Sequence, residues 1–208
     1  MTEESSDPSG HEWSRGGLTP LVSAGPADSD LVFLLVRRKP GAFEEVYRRY
    51  ATRIWRFLER LVGVKALAED LFQETWMAAA RNAHRLRPDT QLLAWLYTIA
   101  RNKHRNALRW AAFERRRNHD LQTEPSAAVN GLEQQAEARH EAARVASAFA
   151  RLPEAHREVL LLCLVEGLSA QEASRILAIR EDAVRKRLSR ARAVLLELLS
   201  SSEKGKAP

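Results

Sequence analysis

The sequence predicts an all-α protein made of two small helical domains joined by a flexible linker. From Ser29 onward, apolar residues recur mostly at helical intervals, and we find no alternating β-branched run of strand length. Residues 114–135 lose this periodicity and gain Pro, Asn, Gly and Gln, which is typical of an inter-domain linker. We therefore expect one domain over residues 28–113 and a second over residues 136–202.

The charge is unevenly distributed along the chain. Residues 1–27 are rich in Ser, Pro and Gly, so we expect a disordered tail. Residues 1–30 hold one basic and six acidic residues, and since the whole chain carries +6, residues 31–208 carry +11. A basic body favours a polyanion such as nucleic acid as partner, although a merely solubilising surface is the alternative.

The first two helices are predicted by apolar spacing and by end signals. The stretch DSDLVFLLVRR indicates a short helix capped by Asp28, Ser29 or Asp30. A longer helix starts at Pro40, whose fixed φ suits a first turn, and stops at Gly63. Its expected buried stripe is Phe43, Val46, Tyr47, Tyr50, Ile54, Phe57, Leu58 and Leu61.

A third helix is expected from about Lys65 to His84, with two different faces. Its inner stripe is Leu67, Leu71, Thr75 and Ala78. The opposite side carries Glu69, Asp70, Gln73, Trp76, Met77 and Ala80. Exposed apolar anchors rimmed with polar groups are typical of a protein-binding surface. In the alternative interpretation, Trp76 packs on a neighbouring helix.

A fourth helix is expected from Thr90 to about Arg116. Its predicted inward residues are Leu92, Leu96, Ile99, Ala107 and Trp110. The other side is formed by Thr98, Arg101, Asn102, Arg105 and Arg109, and three arginines without partnering acids favour anion binding over a solvated face. The preceding loop HRLRPDTQ adds Arg85 and Arg87 beside polar groups able to bond an unstacked base, or it is only a connection.

The second helical block, from about Leu132 to Ser200, contains a helix-turn-helix pattern. Pro153 opens one helix and Gly167 closes it, and Ser169 with Glu172 forms a capping box for the short helix SAQEASRILA. A turn over 178–180 then leads into the next helix. In such an arrangement the second helix enters the DNA major groove.

The last helix, in REDAVRKRLSRARAVLLELL, is basic at its front and apolar at its back. One stripe must face the core: Val184, Leu188, Ala191, Leu195 and Leu198. Lys186, Ser189 and Arg190 point away from it, with Arg180 at the start and Arg185, Arg187 and Arg192 on the flanks. Guanidinium groups bond guanine edges or phosphates. An amphipathic helix with a solvated basic face is the simpler alternative.

Several classes of protein are not expected. We find no apolar run of membrane-helix length and no secretory signal, so we expect a cytoplasmic protein without membrane insertion. The single cysteine, Cys163, excludes a disulfide framework and a thiolate zinc cluster. We find no ligand-like histidine pair, P-loop or nucleophile elbow, so we expect no metal, no cofactor and no enzyme activity.

The two blocks resemble domains 2 and 4 of the extracytoplasmic-function (ECF) group of the sigma-70 family. The first block does so through FEEVYRRYATRIWRFLERLVG, AEDLFQETWMAA and LLAWLYTIARNKHRNALR, and the second through LPEAHREVLLLCLVEGLSAQEA and VRKRLSRARAVL. The resemblance covers roughly residues 30–112 and 140–200. It implies a sigma factor that binds core RNA polymerase and delivers it to promoter DNA with two recognition elements.

The resemblance also implies a role for each group of residues. Polymerase binding would fall to Asp70, Gln73, Glu74 and Trp76, with Met77 in the same patch. Recognition and opening of the −10 element would fall to Arg85, Arg87, Arg101, Asn102, Arg105 and Arg109. Recognition of the −35 element would fall to Arg180, Arg185, Lys186, Arg187, Ser189 and Arg190. The departures from the family pattern, which bear on promoter sequence, are Asn106, Ala173, Ser174, Ala178 and Arg180.

Two other classes of function remain open at this point. A free-standing helix-turn-helix regulator would explain the last helix without joining the polymerase. A protein–protein adaptor would use the sigma-like block only to sequester a regulator. The resemblance also implies a further partner, an anti-sigma factor held between the two domains, but the sequence identifies none.

Overall fold

The structure, a computed structural model, describes residues 26–117 and 136–204, and only the backbone of residues 136–140 and 202–204. The described ranges contain helices and connections but no strand, which confirms the all-α prediction. The helices in chain order are α1 (Asp28–Val36), α2 (Ala42–Val62), α3 (Lys65–Asn82), α4 (Leu92–Arg117), α5 (Ala136–Ala150), α6 (Glu154–Leu160), α7 (Ala170–Leu177) and α8 (Glu181–Lys204).

Most of the predicted tail and linker lies outside the described residues. Of the linker expected over residues 114–135, residues 114–117 are described, and they form the last turn of α4. No helix within the two described ranges combines the length and the apolar character that a membrane crossing requires.

The first domain is built around α2, which contacts α1, α3 and α4. Gly63 ends this helix as predicted, and its φ of 74° lies in the left-handed region that favours glycine. Gly41, at φ 80°, precedes the helix, so α2 begins two residues after the predicted start at Pro40. The predicted stripe is confirmed at six positions, which are Val46, Tyr50, Ile54, Phe57, Leu58 and Leu61, whereas Tyr47, expected in the same stripe, is 43% exposed.

Several helix ends in the second domain coincide with the signals in the sequence. Pro153 precedes α6, a single π-helical turn (Leu161–Val165) follows it, and Gly167 at φ 70° redirects the chain. The capping box is confirmed: Ser169 Oγ accepts from the N–H of Glu172 at 3.2 Å, and Glu172 Oε2 accepts from the N–H of Ser169 at 2.8 Å. The Ser169 hydroxyl, which donates to Glu172 Oε2 at 2.7 Å, and the Ser169 N–H lower the pKa of the Glu172 carboxyl.

The two domains pack against each other. Helix α4 contacts α7, and α2 contacts both α6 and the π-helical turn. The buried apolar residues of both domains therefore belong to one continuous cluster. The sequence predicted two domains on a flexible tether and gave no sign of this packing. The packing covers part of α4.

Candidate nucleic-acid interface

The basic front of α8 is exposed, as the sequence indicated. Val184 and Ala191 are buried, and the three leucines of the predicted stripe are half-buried against the core. Arg187 is half-buried. The remaining residues predicted to face DNA are exposed: Arg180, Arg185, Lys186, Ser189 and Arg190.

Two of these arginines contact carboxylates at the start of α8. Arg180 Nε donates to Asp182 Oδ1 at 3.2 Å, and the guanidinium of Arg185 hydrogen-bonds Glu181 one turn earlier. Exposed pairs of this kind contribute little to stability, so either arginine can exchange its carboxylate for a phosphate.

The turn before α8 has the geometry of a helix-turn-helix. Ala178 adopts φ 52° and ψ 45°, so an alanine occupies the left-handed conformation in which a glycine is usual. The N–H of Ile179 donates to the carbonyl of Ser174 at 3.2 Å, which closes the end of α7. Ile176 and Leu177 are buried, and they anchor α7 beneath α8.

A second polar surface runs along α4 and the loop before it. Asn102, Arg105 and Arg109 are exposed on one side of α4, as predicted, and Arg85 and Arg87 are exposed in the loop. Thr90 Oγ1 accepts from the backbone N–H of Arg87 at 3.0 Å, and Arg87 Nε lies 3.3 Å from Asp89 Oδ1. These contacts give the loop a defined turn.

Two predictions about the faces of α4 are wrong. Trp110 was expected to face inward, but its side chain is 66% exposed. Arg101 was expected to face solvent, but it is only 5% exposed, because it falls one turn after the buried Tyr97. Its Nε donates to Glu158 Oε1 of α6 at 2.9 Å, and its Nη1 donates to the carbonyl of Ile176 at 3.3 Å. Arg101 therefore joins the two domains.

A second polar contact between the domains is centred on Glu166. Tyr97 donates its hydroxyl proton to Glu166 Oε2, and Arg53 Nε donates to the same oxygen at 3.1 Å. Arg53 Nη2 also donates to the Glu166 carbonyl at 3.3 Å. Burial and the adjacent carboxylate raise the pKa of Tyr97, so the phenol stays protonated and donates.

His104 completes the inter-domain surface of α4. Its side chain is 3% exposed, and its Nδ1 lies 3.6 Å from Glu154 Oε1, which is too long for a hydrogen bond. Burial, together with the guanidinium groups of Arg157 and Arg101, lowers the pKa of His104 to about 4. The imidazole is therefore neutral at pH 7. Burial also raises the pKa of Glu158 despite its contact with Arg101.

The inter-domain residues were missed by the sequence analysis. His104 and Arg101 each follow, by one helical turn, the buried Ala100 and Tyr97, and this spacing was the available signal. Among the described residues, His104, Glu154 and Glu158 bring potential metal-binding atoms within 4.8 Å of one another. Glu158 already binds Arg101, and two guanidinium groups nearby oppose a further cation, so this cluster does not indicate a metal site.

The exposed face of α3 is only partly as predicted. Asp70, Gln73, Glu74 and Met77 are exposed, and Glu74 Oε2 lies 2.9 Å from Lys103 Nζ of α4. Trp76, expected to be exposed, is buried.

Trp76 is 6% exposed because α2 supplies an aromatic surface for it. Its ring meets those of Phe43 and Tyr47 of α2 edge-on, with centroids 5.8 and 4.7 Å away, and that of Phe72, one turn earlier on α3 itself, at 6.2 Å. The alternative interpretation, in which the indole packs on a neighbouring helix, is confirmed.

Comparisons with known proteins match both domains. The family model described as Sigma-70 region 2 matches residues 46–113, and that described as Sigma-70, region 4 matches residues 142–195. The RNA polymerase sigma factor CarQ of Myxococcus xanthus is 37% identical over 166 residues, which cover 78% of this chain and 91% of CarQ. CnrH of Cupriavidus metallidurans is 38% identical over 144 residues, covering 65% of this chain and 75% of CnrH.

Solved structures of sigma factors share the fold. CnrH in complex with the cytosolic domain of CnrY superposes with a TM-score of 0.65 at 28% identity, covering 85% of this chain and 99% of that chain. RpoE of Bartonella quintana in complex with the anti-sigma factor NepR gives a TM-score of 0.67 at 26% identity, covering 77% and 98%. The chain therefore belongs to the ECF group of the sigma-70 family, and it is an RNA polymerase sigma factor that directs promoter-specific transcription.

Proposed function

We propose that this sigma factor recognises its promoter with two separate basic surfaces and binds core RNA polymerase with a third. The observation that carries the proposal is the presence of two exposed cationic faces, on α4 and on α8, in different domains of one chain. A free-standing helix-turn-helix regulator would need only the face on α8. Two DNA-binding faces suit a promoter with two elements.

The −35 element is read by α8. Lys186 and Arg190 lie near the middle of its outward face, where a side chain reaches base edges in the major groove. Arg185 and Ser189 lie beside them. Arg180 at the helix start and the half-buried Arg187 bind the phosphate backbone and set the register.

The −10 element is recognised and opened by α4 and the loop before it. Asn102, Arg105 and Arg109 form the accessible part of this surface, together with Arg85 and Arg87. Arg101 belongs to it only after the second domain has moved away, because Glu158 and the carbonyl of Ile176 hold its guanidinium in the closed arrangement. The two domains must therefore separate before Arg101 contacts DNA.

Core polymerase binds to the exposed face of α3. Asp70, Gln73, Glu74 and Met77 make the direct contacts, since their side chains lie on the surface. Trp76 supports this face from beneath by packing on the aromatic rings of α2. Its contribution to polymerase binding is therefore indirect.

The remaining partners and properties follow from this function. Two relatives of known structure were solved with the cytosolic domain of CnrY or with the anti-sigma factor NepR bound, and we extend to this chain an anti-sigma factor as a partner. The protein acts in the cytoplasm, where the polymerase is. It is not an enzyme, since the polymerase performs the chemistry, and it needs no cofactor.

The test is transcription by core polymerase on a library of genomic promoter fragments, with and without the purified chain. Lys186→Ala and Arg190→Ala should each weaken binding to the selected promoters by about 1–3 kcal/mol and relax preference at one base pair. Arg187→Ala should weaken DNA binding to all sequences alike. The slope of log K against log salt concentration should become less steep by about one unit. Arg60→Ala, an exposed arginine on α2, is the matched control.

Polymerase binding is tested separately. Asp70→Ala combined with Gln73→Ala should reduce co-purification with core enzyme and leave DNA binding by α8 unchanged, whereas Glu59→Gln on α2 should change neither. Sequence-specific DNA binding without any effect on polymerase would instead favour the free-standing regulator.

A further inference from the structure

A surface cleft of about 530 Å³ opens in the first domain where α1, α2 and α3 meet. It is formed by the turn between α1 and α2, the first turn of α2, the last turn of α3 and the single 3₁₀ turn Ala83–Arg85. Its polar lining side chains are Arg38, Lys39, Glu44, Arg81 and His84, and we call it the α1–α3 cleft. Sites for small organic molecules have volumes of about 300–1,000 Å³, so the cleft is large enough for such a ligand.

Three cationic side chains in the α1–α3 cleft have no acidic partner among the described residues. Arg38 and Lys39 lie in the turn before α2, Arg81 lies in the last turn of α3, and all three are exposed. Elsewhere in this domain an exposed arginine is paired, as Arg48 is with Glu45. The unpaired charges of the cleft are therefore available to an anion, and guanidinium and ammonium groups suit phosphate in particular.

The turn that carries Arg38 and Lys39 is held in one conformation at an energetic cost. Arg38 has a φ of 52°, in the left-handed region that only glycine adopts freely. The N–H of Arg38 donates to the carbonyl of Leu35 and that of Lys39 to the carbonyl of Leu34, both at 3.0 Å. Left-handed residues other than glycine persist where surrounding contacts hold them, and they cluster at ligand sites. The backbone beneath the two cations is therefore set before a ligand binds.

The α1–α3 cleft also offers an apolar floor and a carboxylate. Leu35 and Ala83 line it and are buried, and Phe43 lines it and is half-buried. Glu44, exposed in the first turn of α2, is the only acidic side chain among the described residues that line the cleft. A flat apolar group fits such a floor, and a carboxylate is the group that accepts hydrogen bonds from ribose hydroxyls in nucleotide sites. Inorganic phosphate would use the cations alone, and Glu44 would repel an acidic peptide.

We propose that the α1–α3 cleft binds a ribonucleoside diphosphate. Arg38, Lys39 and Arg81 bind the phosphates, the base lies on the apolar floor, and Glu44 accepts hydrogen bonds from the ribose. Backbone N–H groups at the start of α2 add to the phosphate site, because Gly41 at the N-cap has no side chain to occupy them. A triphosphate is normally carried with Mg²⁺, which the three cations would repel.

The α1–α3 cleft is independent of the promoter and polymerase surfaces. None of the residues that line it was assigned above to DNA or polymerase binding, and it lies outside both α4 and α8. The proposal therefore stands or falls separately from the proposed way in which this chain recognises its promoter.

The experiment is isothermal titration calorimetry of the full chain with ADP, GDP, CDP and UDP. The diphosphate that binds most tightly is then compared with its nucleoside, its deoxyribose analogue and pyrophosphate. It should bind at least about tenfold more tightly than the nucleoside or pyrophosphate, because each lacks one half of the contacts. It should also bind several-fold more tightly than the deoxyribose analogue. Amide hydrogen exchange in residues 37–44 and 80–85 should slow when it is bound.

Matched variants separate a specific site from general attraction to a basic protein. Arg38→Ala with Arg81→Ala should weaken binding of the diphosphate about tenfold or more. Arg56→Ala with Arg60→Ala removes the same charge from exposed positions of α2 outside the cleft and should leave the affinity unchanged. All four side chains are exposed, so circular dichroism should show an unchanged fold for both variants.

A second pair of variants tests the ribose contact. Glu44→Ala should abolish the preference for the ribose over the deoxyribose form, because the carboxylate that accepts from the ribose is gone. Glu69→Ala, at an exposed position of α3 outside the cleft, should keep that preference.

Four outcomes would overturn the proposal. Absence of binding and of slowed exchange with every nucleoside diphosphate would show that the cleft holds no nucleotide. Equal losses for the two arginine double variants would mean non-specific attraction, and equal affinity for pyrophosphate would leave only a simple anion site. Weaker binding of promoter DNA by Arg38→Ala with Arg81→Ala, at unchanged affinity for the diphosphate, would assign the two arginines to the DNA backbone instead.

Discussion

Arg101 of α4 and Glu158 of α6 form a buried ion pair between the two domains. Arg101 Nε lies 2.9 Å from Glu158 Oε1, and the two side chains are 6% and 3% exposed. Desolvation offsets much of the attraction in such a pair, so its net contribution to stability is small. Its effect is to specify one arrangement of the domains, because either charge alone would be buried without a partner.

Glu158→Gln should open the molecule. Removing one partner of a buried pair costs about 3–5 kcal/mol, but only while the domains stay together. Separation returns Arg101 to water, so the chain should respond by opening rather than by unfolding. Small-angle X-ray scattering should show a larger radius of gyration, whereas Glu154→Gln, whose side chain is 35% exposed, should leave it unchanged. An unchanged scattering curve for Glu158→Gln would contradict this role for the pair.

Trp76→Ala should destabilise the first domain by about 3–5 kcal/mol, because it empties the space between three aromatic rings. Met77→Ala is the matched control: its side chain is 51% exposed, and the change should stay within about 0.5 kcal/mol. Urea unfolding at equilibrium measures both. Equal, small decreases in the free energy of unfolding for the two variants would mean that the Trp76 indole is not part of the core.

Acid should weaken the folded, closed state through His104. The pKa of His104 is lowered to about 4 in the fold, against 6.5 in the unfolded chain, so between these values the unfolded chain binds the extra proton. The free energy of unfolding should therefore fall as the pH drops from about 6.5 to 4, by roughly 3 kcal/mol from this group.

The neighbours of His104 make a control variant necessary. Glu158, whose raised pKa acts in the opposite direction, faces the imidazole together with Glu154, Arg101 and Arg157. Comparing the wild type with His104→Asn isolates the histidine, because Glu158 is present in both proteins. Parallel curves of unfolding free energy against pH for the two proteins would count against the assignment.

Ala178→Gly should stabilise the second domain slightly. A left-handed conformation costs a non-glycine residue about 1–2 kcal/mol, and the extra freedom of glycine in the unfolded chain takes back about 0.4–1 kcal/mol. At φ 52° we expect a net gain of up to about 1 kcal/mol, measured by thermal unfolding. Ala170→Gly in the first turn of α7 should instead destabilise the second domain. A lower stability for both glycine variants would exclude backbone strain at Ala178.

The sequence was sufficient for features that depend on neighbours along the chain. The capping box of Ser169 and Glu172, the stop at Gly63, the exposed basic front of α8 and the all-α class each rest on contacts within a few residues or on a helical period. The same local reasoning placed Asp70, Gln73 and Met77 on the surface of α3. The sigma-70 resemblance was also contained in the sequence, because its motifs are continuous stretches.

Only the tertiary structure determined which residues on the predicted outer faces of helices are buried by another element. On a helical period Trp76 and Arg101 look like surface residues, yet α2 covers the first with aromatic rings and the second domain covers the other with Glu158. Trp110 shows the converse, since no described element packs over its 66% exposed ring. A helical period gives the angle of a side chain around its own axis. The burial of that side chain depends on which element, 57 residues away in the case of Arg101, comes to lie against it.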